Sequence, residues 1–268
     1  MKKKIALVLA VIIALGAILA FAGCNKQDDT NKDANTNSDL AYVQDKGTLV
    51  IGITEYAPMN YKEDGKWTGF DTEFAEAVCA ELGVKAEFIV IDWDNKFPEL
   101  KSKSIDCIWN GMTITDEALK NASVSDAYVK NAQVVVAKAD VAAKYSSLEE
   151  MKDLRFTAES GSAGEGVIKE AGIEKYTAVL AQSDALMEVS AGSADACIID
   201  ITMANAMTGE GTSYTNLTQV CSLNEEEYGI AFRQGSDLTA KVNEIMAELK
   251  TNGKLDAIAD KYELTLVK

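Results

Sequence analysis

Apolar runs of strand length alternate with helix-patterned segments along most of this chain, and that alternation limits the fold more than any single residue does. Thr48 to Ile53, Ala86 to Ile91 and Ile105 to Trp109 read as strands, separated by helices at Asp71 to Leu82, Asn95 to Ser102 and Asp116 to Ala122. Gln133 to Ala137 begins a further strand. The pattern then restarts, with strands near Arg155 to Ala158, Tyr176 to Leu180 and Ala196 to Ile199 and helices near Ala163 to Ala171, Ser183 to Ala191 and Ile201 to Met207. Strands separated by helices pair in parallel and are covered on both faces, so the expected class is α/β with two parallel-rich sheets. A last strand, Tyr228 to Phe232, and two helices, Ser236 to Lys250 (capped by Ser236) and Gly253 to Tyr262, bring the chain back to the first unit. Two units joined by two crossings make a bilobal protein. The only prolines, Pro58 and Pro98, leave long elements uninterrupted.

The N-terminus reads as targeting sequence. Lys2, Lys3 and Lys4 precede an almost unbroken apolar stretch from Ile5 to Ala22, as in an export signal. The stretch is also long enough to span a bilayer, so a retained anchor helix is the competing reading. Phe21-Ala22-Gly23-Cys24 resembles a bacterial lipoprotein processing box, which implies removal of residues 1–23 and lipidation of Cys24. Asn25 to Asp39 holds one apolar residue, Ala34, and cannot bury enough surface to offset the cost of ordering. Residues 24–40 are therefore expected to be a flexible tether, with the folded part beginning near Leu40. Either reading puts the protein at the extracytoplasmic face of the membrane.

Composition removes several function classes. The formal charge of −16 opposes nucleic-acid binding and adsorption to anionic lipid. Histidine is absent, which removes the commonest general base and metal ligand and the His-activated nucleophiles. Cys79, Cys107, Cys197 and Cys221 form no Cys-x-x-Cys pair, and no metal or other cofactor is implied. Cys79, Cys107 and Cys197 sit in apolar runs, as buried free thiols do, with a disulfide inside one lobe as the alternative.

Gly69-Phe70-Asp71-Thr72-Glu73-Phe74 leads into a helix whose Phe70, Phe74, Ala77, Val78 and Leu82 share one face. Gly65 and Gly69 flank a turn, and Asp71 is the natural N-cap. This segment, with Glu227-Tyr228-Gly229-Ile230-Ala231-Phe232 and the order of elements from 41 to 268, resembles the family 3 solute-binding proteins, the amino-acid receptors of ABC importers. The resemblance implies the class II periplasmic-binding-protein fold, a ligand held between lobes and a monomer that closes by hinge motion. It divides the chain into lobe 1, residues 41–130 plus 228–268, and lobe 2, residues 131–227 with the hinge strands.

The resemblance also assigns a site. Tyr56, two before Pro58, and Trp93, after the second strand, match aromatic walls, and Glu55 sits beside the first. Asn110, Gly111 and Thr113 follow the strand ending at Trp109, where relatives bind the α-carboxylate and α-amino groups. Glu159 precedes Ser162 and Ala163, whose hydroxyl and amide match a carboxylate-binding helix start, and Asp200 matches the acceptor for the α-ammonium. One departure stands out: relatives carry an arginine five residues past Thr113, and here that residue is Ala118. The only arginines, Arg155 and Arg233, match no site position. Acids without a compensating arginine favour a positively charged ligand, either a cationic amino acid or an amine lacking the α-carboxylate. The expected function is a membrane-tethered receptor that delivers this ligand to an importer's membrane subunits. An enzyme of the dehydratase or wall-cleaving kind and a ligand-sensing module are the readings from other classes.

Overall fold

A computed structural model describes residues 38–268. The expected signal segment, Cys24 and nearly all of the tether lie outside the described residues. Among those described, no helix is long and apolar enough to cross a membrane.

The elements run α1 (Asp39–Lys46), β1 (Thr48–Ile53), β2 (Tyr61–Glu63), β3 (Lys66–Thr68), α2 (Phe70–Leu82) and β4 (Lys85–Val90). A 3₁₀ turn at Trp93–Asn95 leads to α3 (Lys96–Ser102), β5 (Cys107–Ile108), α4 (Asp116–Asn121) and β6 (Ser123–Val124). The second part holds β7 (Val129–Lys138), α5 (Ala139–Ala142), a 3₁₀ turn at Glu149–Met151, β8 (Phe156–Glu159), α6 (Ala163–Glu170) and β9 (Tyr176–Val179). It continues through α7 (Gln182–Ala191), β10 (Ala196–Asp200), α8 (Ile201–Met207) and β11 (Leu217–Tyr228), and the chain returns with β12 (Ala231–Phe232), α9 (Leu238–Thr251) and α10 (Lys254–Lys261).

Two five-stranded sheets result, ordered β4-β1-β5-β12-β6 and β11-β7-β10-β8-β9. The chain passes between them twice, from β6 to β7 and from β11 to β12. Each sheet is only half parallel. β4, β1 and β5 pair in parallel while β12 joins antiparallel; in the second sheet β9, β8 and β10 are parallel and β7 and β11 are antiparallel. The antiparallel strands are those entering or leaving through a crossing, because a chain returning from the other lobe needs no helix to reverse direction.

Asp71 does not cap α2. Gly69 does, at φ 114°, in a position where a Cβ would fall 2.3 Å from the Met59 carbonyl oxygen. Asp71 lies inside the first turn, fully buried, and accepts from the Gly111 N–H at 2.6 Å and the Tyr128 hydroxyl at 3.0 Å. Burial pushes its carboxyl up to about 7. Around it Phe74 meets Trp109 edge-on with centroids 4.8 Å apart, and Phe70 stacks on Tyr128. Ser236 also misses the cap of its helix, α9, by one residue: the N-cap is Asp237. Cys79, Cys107 and Cys197 are buried and Cys221 partly so, all four unpaired.

Candidate functional site

Strand ends of both sheets face one another across a cavity of about 430 Å³. From the first lobe come Tyr56, Trp93, Asn110, Gly111 and Thr113; from the second come Glu159, Ser162, Ala163 and Asp200. Nine of the ten residues expected at the site therefore line one space. Glu55 is the exception: it is exposed at the end of β1 and does not border the cavity. Ala118 does border it and is buried. Arg155 is exposed and paired with Asp195, and Arg233 binds Asp39 and Asp106 beside α1, so neither reaches the cavity.

Several of these side chains are already engaged by the protein. The Asn110 amide exchanges bonds with the Thr54 backbone, accepting from its N–H at 2.9 Å and donating to its carbonyl at 3.0 Å, which joins the ends of β1 and β5. Gly111 has φ 53°, and a Cβ there would fall 2.6 Å from the Tyr56 ring, so this glycine is required by close packing of the aromatic. The Tyr56 hydroxyl lies 2.5 Å from Thr202 Oγ1 and 2.6 Å from the Tyr228 hydroxyl. That cluster carries the first lobe onto α8 and the second crossing. Ser162 caps α6, its Oγ accepting from the Glu165 N–H at 3.1 Å.

The charged centre is built around Asp200, which is nearly inaccessible. Its Oδ1 accepts from Asn131 Nδ2 and Gln133 Nε2, each at 2.5 Å, and its Oδ2 accepts from the Gln182 amide. The Asn131 and Gln133 amides also donate to Glu226 Oε1, at 2.6 and 2.7 Å, and Thr113 Oγ1 donates to the same oxygen at 2.8 Å. Two carboxylates thus share the same pair of amides. Burial first, and the neighbouring Glu226 charge second, push the Asp200 carboxyl up to about 7. Glu159, also deeply buried, is raised to about 8 by burial and then by Asp200. Its Oε1 has no hydrogen-bond partner in the protein, and neither do Oδ1 of Asn131 and Oε1 of Gln133. The centre is short of donors. A cation brought among these groups would supply them.

Sequence reasoning did not select Glu226, Gln133, Asn131, Gln182 or Lys96. Glu226 lies in an acidic run, Glu225-Glu226-Glu227, that reads as a solvated surface; Asn131 and Gln133 stand inside β7 and Gln182 opens α7, none with a spacing signal. Lys96 opens α3 and reads as an exposed helix residue, yet it is buried: Nζ donates to the Trp93 carbonyl at 3.2 Å and to the Gly161 carbonyl, on the opposite lobe, at 2.8 Å. Gly161 has φ 70°, and a Cβ there would come 2.8 Å from Asp94 Cα, so the lobes meet backbone to backbone at this point.

Two half-parallel sheets crossed twice, with polar strand ends facing across a cavity, define a bilobal binding protein. The chain belongs to the bacterial extracellular solute-binding proteins, family 3, whose profile matches residues 49–265. It is 31% identical over 223 residues to the arginine-binding extracellular protein ArtP of Bacillus subtilis (strain 168), covering 81% of this chain and 86% of that one. It is 28% identical over 274 residues to the ABC transporter glutamine-binding protein GlnH of the same organism, covering 98% of this chain and 97% of that one. Among solved structures it is similar to an ancestral arginine-binding protein bound to arginine, with a TM-score of 0.73 and 34% identity, over 81% of this chain and 98% of that chain.

Proposed function

We propose that the protein is the amino-acid receptor of an ABC importer and that its ligand is a cationic amino acid. The observation that carries this reading is the pair of carboxylates, Asp200 and Glu226, held on shared amides beside Glu159, whose Oε1 lacks a partner. A ligand ammonium placed between Asp200 and Thr113 meets an acceptor on each side, and a second cationic group reaching Glu159 satisfies the orphaned oxygen. Tyr56 and Trp93 flank the aliphatic part, and Asn110, Gly111, Ser162 and Ala163 shape the ends. The names of the relatives support the same class: an arginine-binding and a glutamine-binding protein are both amino-acid receptors. The receptor works as a monomer on the outer face of the cell membrane, held by lipid on Cys24 after removal of residues 1–23, and its cargo passes to the importer's membrane subunits. No step of this role makes or breaks a bond.

Ala118 favours a second reading, an amine without the α-carboxylate, because the usual guanidinium is missing at that place. Thermal-shift screening of residues 38–268 against all amino acids and common polyamines separates the two, since bound ligand stabilises by mass action. L-Arginine, L-lysine or L-histidine should raise Tm most. A shift from neutral or acidic amino acids alone would overturn the cationic reading, and a shift from polyamines alone would favour the amine. Mass spectrometry of the processed protein, with a lipid-bearing Cys24 at its N-terminus expected, tests the anchor.

A further inference from the structure

A charged lysine side chain is expensive to bury unless it is paired or fully hydrogen-bonded. Lys96 is 6% exposed, and among the described residues no ion pair includes it. An ammonium has three N–H donors. Two are taken by the carbonyls of Trp93 and Gly161, both neutral acceptors, and the third has no protein acceptor. The Trp93 and Phe97 rings lie 5.1 and 5.0 Å from Nζ, so its surroundings are aromatic. Of the residues lining the cavity Lys96 is the only basic one, against the acids Asp116, Glu117, Glu159, Glu170, Asp200 and Glu226.

Its position decides what it faces. The Gly161 carbonyl that holds it belongs to the loop leading directly into Ser162 and the first turn of α6. That turn presents backbone N–H groups and the positive end of the helix to the same cavity. Ala118, on α4, packs in the same apolar cluster as Trp93 and Phe97, the residues beside Lys96. The cavity therefore has a negative centre at Asp200 and Glu226 and its basic group at Lys96, beside a start of α6 whose own acid, Glu165, is paired with Lys169.

We infer that Lys96 binds the α-carboxylate of the ligand, supplying from α3 the positive charge that Ala118 does not supply from α4. This rests on the amino-acid reading above and sharpens it: a carboxylate-binding lysine has no purpose in a receptor for simple amines. Burial draws the Lys96 ammonium's pKa below its usual value, with Glu117 and Glu159 opposing, and an adjacent ligand carboxylate would hold the proton in place.

The bond to Gly161 spans the lobes, so Lys96 could instead serve only to join them. The test separates charge from contact. Lys96→Gln keeps an N–H donor for the carbonyls and removes the charge. Calorimetry on wild type and variant compares L-arginine with agmatine, L-lysine with cadaverine and L-histidine with histamine, each pair differing by the carboxylate alone. Wild type should prefer the acid, and Lys96→Gln should lose on the order of a hundredfold in affinity for the acid while the amine is unchanged or bound more tightly. Adding Ala118→Arg to Lys96→Gln should restore the preference, which a misfolded variant could not do. Equal loss for acid and amine would show a lobe contact only and overturn the inference, as would a wild type that binds the amines as tightly as the acids. If wild type binds none of the three acids the cationic reading falls, and L-glutamine against 4-aminobutyramide then decides Lys96 by the same comparison.

Discussion

The Thr113 hydroxyl donates to Glu226 Oε1 at 2.8 Å, joining the loop after β5 to the strand that carries the chain back between lobes. The Ile114 N–H reinforces the tie, donating to the Glu227 carbonyl at 3.0 Å. Because Asn131 and Gln133 link Glu226 to Asp200, a cation arriving at Asp200 acts on the crossing itself as well as on the cavity. Five side chains, Thr113, Glu226, Asn131, Gln133 and Asp200, thus form one hydrogen-bonded chain from the cavity to the crossing.

Asp200 should dominate affinity. Asp200→Ala leaves a ligand ammonium without its acceptor, a loss of about 3–5 kcal/mol for a buried charged hydrogen bond. Calorimetry with L-arginine should show a hundredfold or greater weakening (about 2.7 kcal/mol or more), with the circular dichroism of the folded protein retained. A loss below tenfold (about 1.4 kcal/mol) would contradict the role.

Affinity should rise with pH. A cationic ligand binds the ionised carboxylates, and Asp200 and Glu159 sit at about 7 and about 8 before it binds. Below pH 7 the loss should approach about tenfold per pH unit for each proton that must leave. Stability without ligand should move the opposite way. Both acids hold protons longer folded than unfolded, so their favourable contribution is complete below pH 4 and declines as pH rises through 7 and 8. Titrations and thermal melts between pH 4 and 9 measure both slopes.

Glu159 should govern the preference for a charged side chain. Glu159→Gln removes a carboxylate whose Oε1 has no protein partner, so binding of L-arginine should weaken by roughly tenfold to a hundredfold. Binding of L-glutamine should weaken little. An equal fall for both would assign Glu159 to shaping the cavity and not to reading charge.

Asp71 should matter to folding and, through folding, to the site. Asp71→Ala removes the acceptor for the Gly111 N–H and the Tyr128 hydroxyl, and two buried donors left without partners cost about 2–5 kcal/mol. Thermal melts should show the loss, and binding should weaken as the Gly111 loop loosens.

The alternating architecture was readable where a parallel strand is a compact apolar run, as in β1 and β10: β1 falls on Thr48–Ile53 as expected, and α8 on Ile201–Met207. β11 was not. Leu217–Tyr228 is a mostly half-buried edge strand with bulges after Gln219 and Ser222, and it carries neither an apolar run nor a clean alternation. Its absence from the sequence reading also hid Glu226 and made the sheets look more parallel than they are. α1 escaped notice because its residues are mostly polar and it is held by caps, Ser38 at one end and Gly47 at the other. At the site, residues at strand ends followed from topology, whereas Lys96 and the amides did not. A lysine in a polar stretch carries no mark of burial until the opposite lobe supplies the Gly161 carbonyl.

Gly161 gives the chain an unusual kind of vulnerability. Within its own lobe the residue needs only a left-handed backbone, which alanine tolerates at about 1–2 kcal/mol. The obstacle to a larger side chain stands on the other lobe, at Asp94 Cα. Gly161→Ala should therefore yield a protein that still folds, its melting temperature lowered only by that backbone cost, yet stays wedged apart and fails to compact on scattering when L-arginine is added. Mutational surveys that score abundance would pass such a lesion, while those that score uptake would not.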